Sequence, residues 1–172
     1  EISTNFKIVQ TALKIKPDFI CIVPENRKEV TTEGGLNLKK NKMKLRKIIK
    51  KLKKSKIRTS LFINPSINDV KTSKDLNVDC IEIHTGHLAN LVKLKKNYTN
   101  ELKKVSQCSK FAKNLGIEVH AGHGLDYKTT KILVKIPEIK EFNIGHYLVG
   151  EALFFGFPKI IKNFKRIIKR IK

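Results

Sequence analysis

The regular alternation of two kinds of run constrains this chain more than any other feature. Five short stretches are apolar, rich in β-branched residues and bounded by turn residues: "FICIV" (19–23), "IRTSLFI" (57–63), "CIEIH" (80–84), "IEVHA" (117–121) and "EFNIG" (141–145). They read as strands. Between them lie "STNFKIVQTALKIK", "NKMKLRKIIKKLKKS", "SINDVKTSKDL", "YTNELKKVSQCSKFAKNLG" and "DYKTTKILVKI". Apolar residues recur there every three to four positions, as helices require. Gly116 stands where a helix C-terminus favours left-handed backbone. The closing "YLVGEALFFGFPKIIKNFKRIIKRIK" reads as one or two helices with a break near Gly156–Pro158. Strand–helix alternation implies an α/β fold on a parallel sheet. Five strands after a leading helix suit either a doubly wound sheet or most of a (β/α)8 TIM barrel. A barrel takes about 200 to 250 residues. The 172 residues present therefore read as one domain over 1–172, a partial barrel lacking its first strands. That the chain opens at Glu1, with Met43 its only methionine, fits the same expectation.

A formal charge of +22 raises the question of nucleic acid. Only five basic residues are arginine, at 27, 46, 58, 166 and 170, and the 32 lysines are spread over every helix-like run. No basic motif with interleaved aromatics stands out, so the charge reads as solvated surface lysine, with no specific nucleic-acid partner expected. No run approaches 18 apolar residues, so no membrane span is expected. Cys21, Cys80 and Cys108 are odd in number and scattered, with Cys21 and Cys80 inside apolar runs. They read as reduced thiols of a cytoplasmic protein.

In parallel α/β folds the working residues sit just past the strand C-termini. The polar clusters fall there: "PENRKEVTTEGG" after the first strand, "TGH" after "CIEIH", "GHG" after "IEVHA" and "GH" after "EFNI". Glu82, flanked by Ile81 and Ile83 inside a strand, needs either a salt-bridge partner in the core or a role in a site. "HAGHG" admits a metal site, a phosphate-binding turn, a strand-end catalytic histidine or an ordinary polar loop. His120 with His123, or His84 with His87, could ligate zinc by spacing, but no helix with a third ligand and no Cys/His knuckle supports it. The glycines around His123 instead leave backbone amides open to an anion, with His123 beside it to move a proton. "NIGH" repeats the pairing of glycine and histidine at the next strand end.

The blocks "VPENRKEVTTEGGLNL", "SLFINP", "CIEIHTGHLA", "EVHAGHGLDY" and "EFNIGHYLVGEALFFG" together resemble the pyridoxine 5′-phosphate synthase family of vitamin B6 biosynthesis. They stand in the family's order and spacing across essentially all of 1–172. The resemblance implies a (β/α)8 barrel. It implies an enzyme that joins 3-amino-2-oxopropyl phosphate to 1-deoxy-D-xylulose 5-phosphate, giving pyridoxine 5′-phosphate, phosphate and water without a metal or organic cofactor. By that resemblance Glu1 matches a general base ending the family's third strand, Glu82 a transition-state stabiliser and His123 a proton donor. Thr31 matches a deoxyxylulose phosphate contact, beside a Gly34–Gly35 loop that resembles a mobile lid. Gly124, Gly145 and His146 match contacts to 3-amino-2-oxopropyl phosphate. The family's first three strands carry further motifs that do not occur here, so the chain alone is expected to be inactive and the complete gene product to carry activity, as a homo-oligomer. Two other readings stand beside it: a basic nucleic-acid-binding module, and an aldolase-like phosphate-handling barrel, which would place a lysine on an inner strand face.

Overall fold

The computed structural model describes residues 1–25 and 34–169. Its elements follow the order α1 (Phe6–Ile15), β1 (Phe19–Ile22), α2 (Leu38–Lys54), β2 (Arg58–Ile63), α3 (Ile67–Asp75), β3 (Cys80–His84), α4 (Gly86–Lys93), α5 (Thr99–Asn114), β4 (Glu118–Gly122), α6 (Tyr127–Leu133), β5 (Ile139–Asn143), α7 (His146–Phe155) and α8 (Phe157–Lys169). The five strands form one parallel sheet in sequence order. This is the α/β architecture that the alternation implies.

Local chemistry explains most element ends. Asn5, Asn37, Ser66 and Asp126 cap the N-termini of α1, α2, α3 and α6 through their side-chain oxygens, each satisfying an otherwise unpaired amide. Gly116 follows α5 with φ +72°, the left-handed conformation that a side chain disfavours. Gly156, φ +75°, separates α7 from α8. Three features differ from the sequence reading or go beyond it. "TGH" is not all loop: α4 starts at Gly86. β5 begins two residues before "EFNIG" and takes in Lys140, so one strand does contain a lysine. That lysine lies at the strand's N-terminal end, is exposed, and donates to the Pro137 carbonyl at 3.4 Å, remote from the strand C-termini where a Schiff-base lysine would work. Finally, the outer edge of β1 is not bare. Ile2 pairs with it in parallel fashion, its N–H donating to Cys21 O and its carbonyl accepting from Val23 N–H, both at 2.9 Å.

The sheet's two faces differ because side chains alternate along a strand. Ile20, Ile22, Leu61, Ile63, Ile81, Ile83, Val119 and Ala121 join Leu45, Ile49, Leu52, Val70, Val105 and Ala112 of the helices in one core. Each fully buried Leu or Ile there contributes about 1.5–3 kcal/mol. The other face carries Phe19, Cys21, Arg58, Ser60, Phe62, Glu82, His84, His120 and Asn143, and it is strongly concave. Strands three apart in a flat sheet are about 14 Å from each other, yet the rings of Phe19 on β1 and His120 on β4 have centroids 5.7 Å apart. At the strand N-terminal end of this hollow, Arg58 Nη2 meets Glu118 Oε1 at 2.7 Å and stacks over Phe19, while His120 Nε2 lies 2.8 Å from the same carboxylate oxygen. The His120 and Arg58 hydrogen bonds hold the Glu118 carboxyl below its usual range. These groups form a polar floor under the site.

Candidate active site

Strand register lines up the chemistry. Phe62, Glu82, His120 and Glu141 are Cα partners in one row across β2 to β5, and His84, Gly122 and Asn143 form the next row toward the strand C-termini. Residues in one row of a parallel sheet share a face, so all seven line the concave side.

Glu82 is buried, with 3% of its surface exposed. Its Oε2 accepts from Asn143 Nδ2 at 2.6 Å and from the Cys21 thiol at 3.5 Å. Oε1 lies against Gly122, where an added Cβ would overlap it. Burial pushes the Glu82 carboxyl above the ordinary glutamate range, and the Glu1 charge adds to this. Asn143, Cys21 and His120 pull it back. Burial and then the Glu82 charge push the Cys21 thiol far up, so it remains an S–H donor. Glu1 is exposed and near enough for its charge to act on both groups. The Ile2 bridge to β1 holds it there.

Above Glu82 stands a pair of imidazoles. His84 is buried at the end of β3, and its ring centroid lies 4.8 Å from that of His123, just beyond β4. Phe62 packs edge-on against His84 at 5.3 Å and lies 6.3 Å from His123. Gly86 fits between the rings, since a Cβ there would come within 2.7 Å of His123 and 2.8 Å of His84. His123 has φ +75°, a conformation uncommon for a non-glycine residue and one that clusters at functional sites. Thr85 ties the two turns together. Its hydroxyl donates to the carbonyls of Gly122 and His123, each at 2.8 Å, and its N–H donates to Gly122 O at 2.9 Å. Gly124, φ +74°, rests on Ala89 and Gly86 of α4.

Gly145 is the N-cap of α7 and His146 its first residue, both exposed. Among the described residues no side chain caps this helix, and a Cβ at Gly145 would meet nothing within 4 Å. The first-turn amides thus face open space, where the positive end of the helix dipole favours an anion. Thr31 lies outside the described residues. The described chain that resumes after it is anchored: Gly35 N–H donates to Asn64 Oδ1 at 2.8 Å and Leu36 N–H to Phe62 O at 2.8 Å.

Of the residues expected from the sequence, Glu1, Glu82, His123 and Gly124 gather at the C-terminal mouth of the hollow, and Gly145 and His146 follow β5 at the same end. Cys21, Phe62, Gly122 and Asn143 join them without having been singled out for the site, as does His84, which the sequence offers only as a zinc ligand by spacing. Their signal was period-two spacing: Asn143 stands two residues before Gly145, and Gly122 is the row partner of His84.

The fold and these groups together define an α/β protein whose acid, imidazole and helix-terminus chemistry is collected at one end of a parallel sheet. The family model for pyridoxal phosphate biosynthesis protein PdxJ matches residues 1–170, and the chain belongs to that family. It is 59% identical over 170 residues to the pyridoxine 5′-phosphate synthase of Pelagibacter ubique, covering 99% of this chain and 71% of that protein. The proteins of the same name from Aliarcobacter butzleri and Zymomonas mobilis are 40% and 42% identical, with 98% of this chain covered in each and 73% and 65% of the relatives.

Proposed function

We propose that this chain carries the later five strands and the corresponding half-site of a pyridoxine 5′-phosphate synthase built on a (β/α)8 barrel. The enzyme condenses 3-amino-2-oxopropyl phosphate with 1-deoxy-D-xylulose 5-phosphate to form pyridoxine 5′-phosphate, a transferase-type ring synthesis. The observation that carries the reading is Glu82. It is a buried carboxylate held at the floor of a concave mouth, beneath paired imidazoles and beside an uncapped helix N-terminus. The curl that brings Phe19 to His120 supports a closing barrel, and residues 1–172 read as part of one such domain. Among the described residues no helix is long and apolar enough to cross a membrane, which suits the proposed cytoplasmic setting.

Each group has a chemical task. Joining an amine to a ketone passes through a cationic iminium, which a fixed carboxylate at Glu82 stabilises. Water leaves at several stages, so a proton donor is required, and His123 sits where it can supply one. Glu1 takes a proton as a base. Gly124, Gly145 and His146 receive the phosphate of 3-amino-2-oxopropyl phosphate, and Thr31 that of the sugar. The partners are small phosphorylated molecules, and further copies of the chain in the assembled enzyme. The exposed lysines specify no nucleic acid.

Two variants test these roles in the full-length gene product. Glu82→Gln keeps the shape and the bond pattern's size but removes the charge. It is expected to lower turnover by about 10²-fold or more while thermal unfolding changes little; a variant with normal turnover removes Glu82 from the mechanism. A Cβ at Gly145 would meet nothing within 4 Å, so the fold should tolerate Gly145→Val. Its bulk occupies the space before the α7 amides, and 3-amino-2-oxopropyl phosphate should bind about tenfold or more weakly, with deoxyxylulose phosphate binding unchanged. Equal binding of the first substrate by calorimetry would move its phosphate elsewhere.

A further inference from the structure

We infer that Asn143 and Cys21 act as a two-donor clamp on Glu82, positioning residues that keep it an aimed carboxylate inside the hollow. The inference rests on the synthase reading, and it assigns work to two side chains that act through Glu82. The geometry is specific. Both donors converge on Oε2, at 2.6 Å from Asn143 and 3.5 Å from Cys21, and they approach from β5 and β1, the strands on opposite sides of β3's own neighbours. Gly122 closes the Oε1 side, since any side chain there would overlap that oxygen. The carboxylate is thereby held from three directions by three strands, and its remaining freedom points toward the mouth.

A clamp of this kind answers a physical problem. A carboxylate this deeply buried would tend to take up a proton, because an apolar surround penalises its charge. A neutral acid could not stabilise a developing cation. Hydrogen bonds donated to the charged form oppose that tendency. Of the titratable groups around Glu82, Glu1 works against ionisation, and Cys21 and His120 favour it; His84 and His123 stand above it and Glu141 lies in its row. A serine at position 21 would offer a hydroxyl in place of the thiol. The cysteine donates a weaker bond from a position that is itself buried.

The experiment measures the titration of Glu82 in the full-length protein in two ways. One is the acid limb of the kcat–pH profile. The other is infrared difference titration of the protonated carboxyl band, with Glu82→Gln as the blank. The variants are Cys21→Ala, Cys21→Ser, Asn143→Ala and the isosteric Asn143→Asp. Loss of a donor should move the Glu82 midpoint upward by about one pH unit, and Asn143→Asp, which adds a like charge, should move it furthest. Cys21→Ser should return the midpoint toward its original position. An unmoved midpoint in Cys21→Ala and in whichever Asn143 variant folds, with loss of thermal stability alone, overturns the clamp. If the unsubstituted protein makes no pyridoxine 5′-phosphate, the synthase reading fails, while the infrared midpoint still decides the clamp.

Discussion

Replacing His123 with asparagine in the full-length enzyme is expected to lower kcat by about 10²–10⁴-fold, with both substrates binding almost as before. The choice of asparagine follows from the backbone. His123 lies at φ +75°, and asparagine is among the few residues that accept left-handed geometry at small cost. Alanine there would mix strain with chemistry. Asparagine keeps a polar planar group beside His84 and Phe62 but cannot gain or lose a proton near neutrality. A loss confined to turnover identifies His123 as the proton carrier. Normal turnover with weakened substrate binding makes it part of the phosphate cradle instead. Steady-state formation of pyridoxine 5′-phosphate, with each substrate's binding followed separately, distinguishes the two.

Gly122→Ala should be nearly as damaging, although it adds a single methyl group. The position is extended strand, so backbone strain is not the cause. The new Cβ would occupy the place of Glu82 Oε1, and the carboxylate must swing away from Asn143 and Cys21. Crowding of this kind costs about 1–3 kcal/mol of stability, and a misplaced catalytic group can cost about 10²-fold in rate. A double variant isolates the cause. If the damage runs through Glu82, Gly122→Ala combined with Glu82→Gln should turn over no more slowly than Glu82→Gln alone. A further large drop in the double variant means that the glycine serves something else, such as the turn that carries His123.

Legibility in the sequence followed the length of the physical signal. The strands were legible because β-branched runs alternate with helical spacing over the whole chain, and β3 was matched residue for residue. α4 was not, because eight residues opening on "GH" resemble a strand-end loop, and its helical character depends on packing against α5 and α6. β5 starts two residues before the run read as its strand because Lys140 breaks its apolar pattern. Its start is set by pairing with β4 across a register shift at Val119/His120. The site divided in the same way. Glu82 and His123 announce themselves, one as a charge inside an apolar strand and the other between glycines. Asn143 and Cys21 do not. Their importance comes from the curl of the sheet, which brings β1 and β5 side chains onto a β3 carboxylate. Nothing in a linear string records curvature.

The Thr85 hydroxyl has a mechanical consequence. Its one proton is shared between the carbonyls of Gly122 and His123, so the turn after β3 and the turn after β4 are riveted into a single part. Breathing at the mouth of the hollow cannot separate His84 from His123 without shearing that rivet. The pair therefore travels as one jaw.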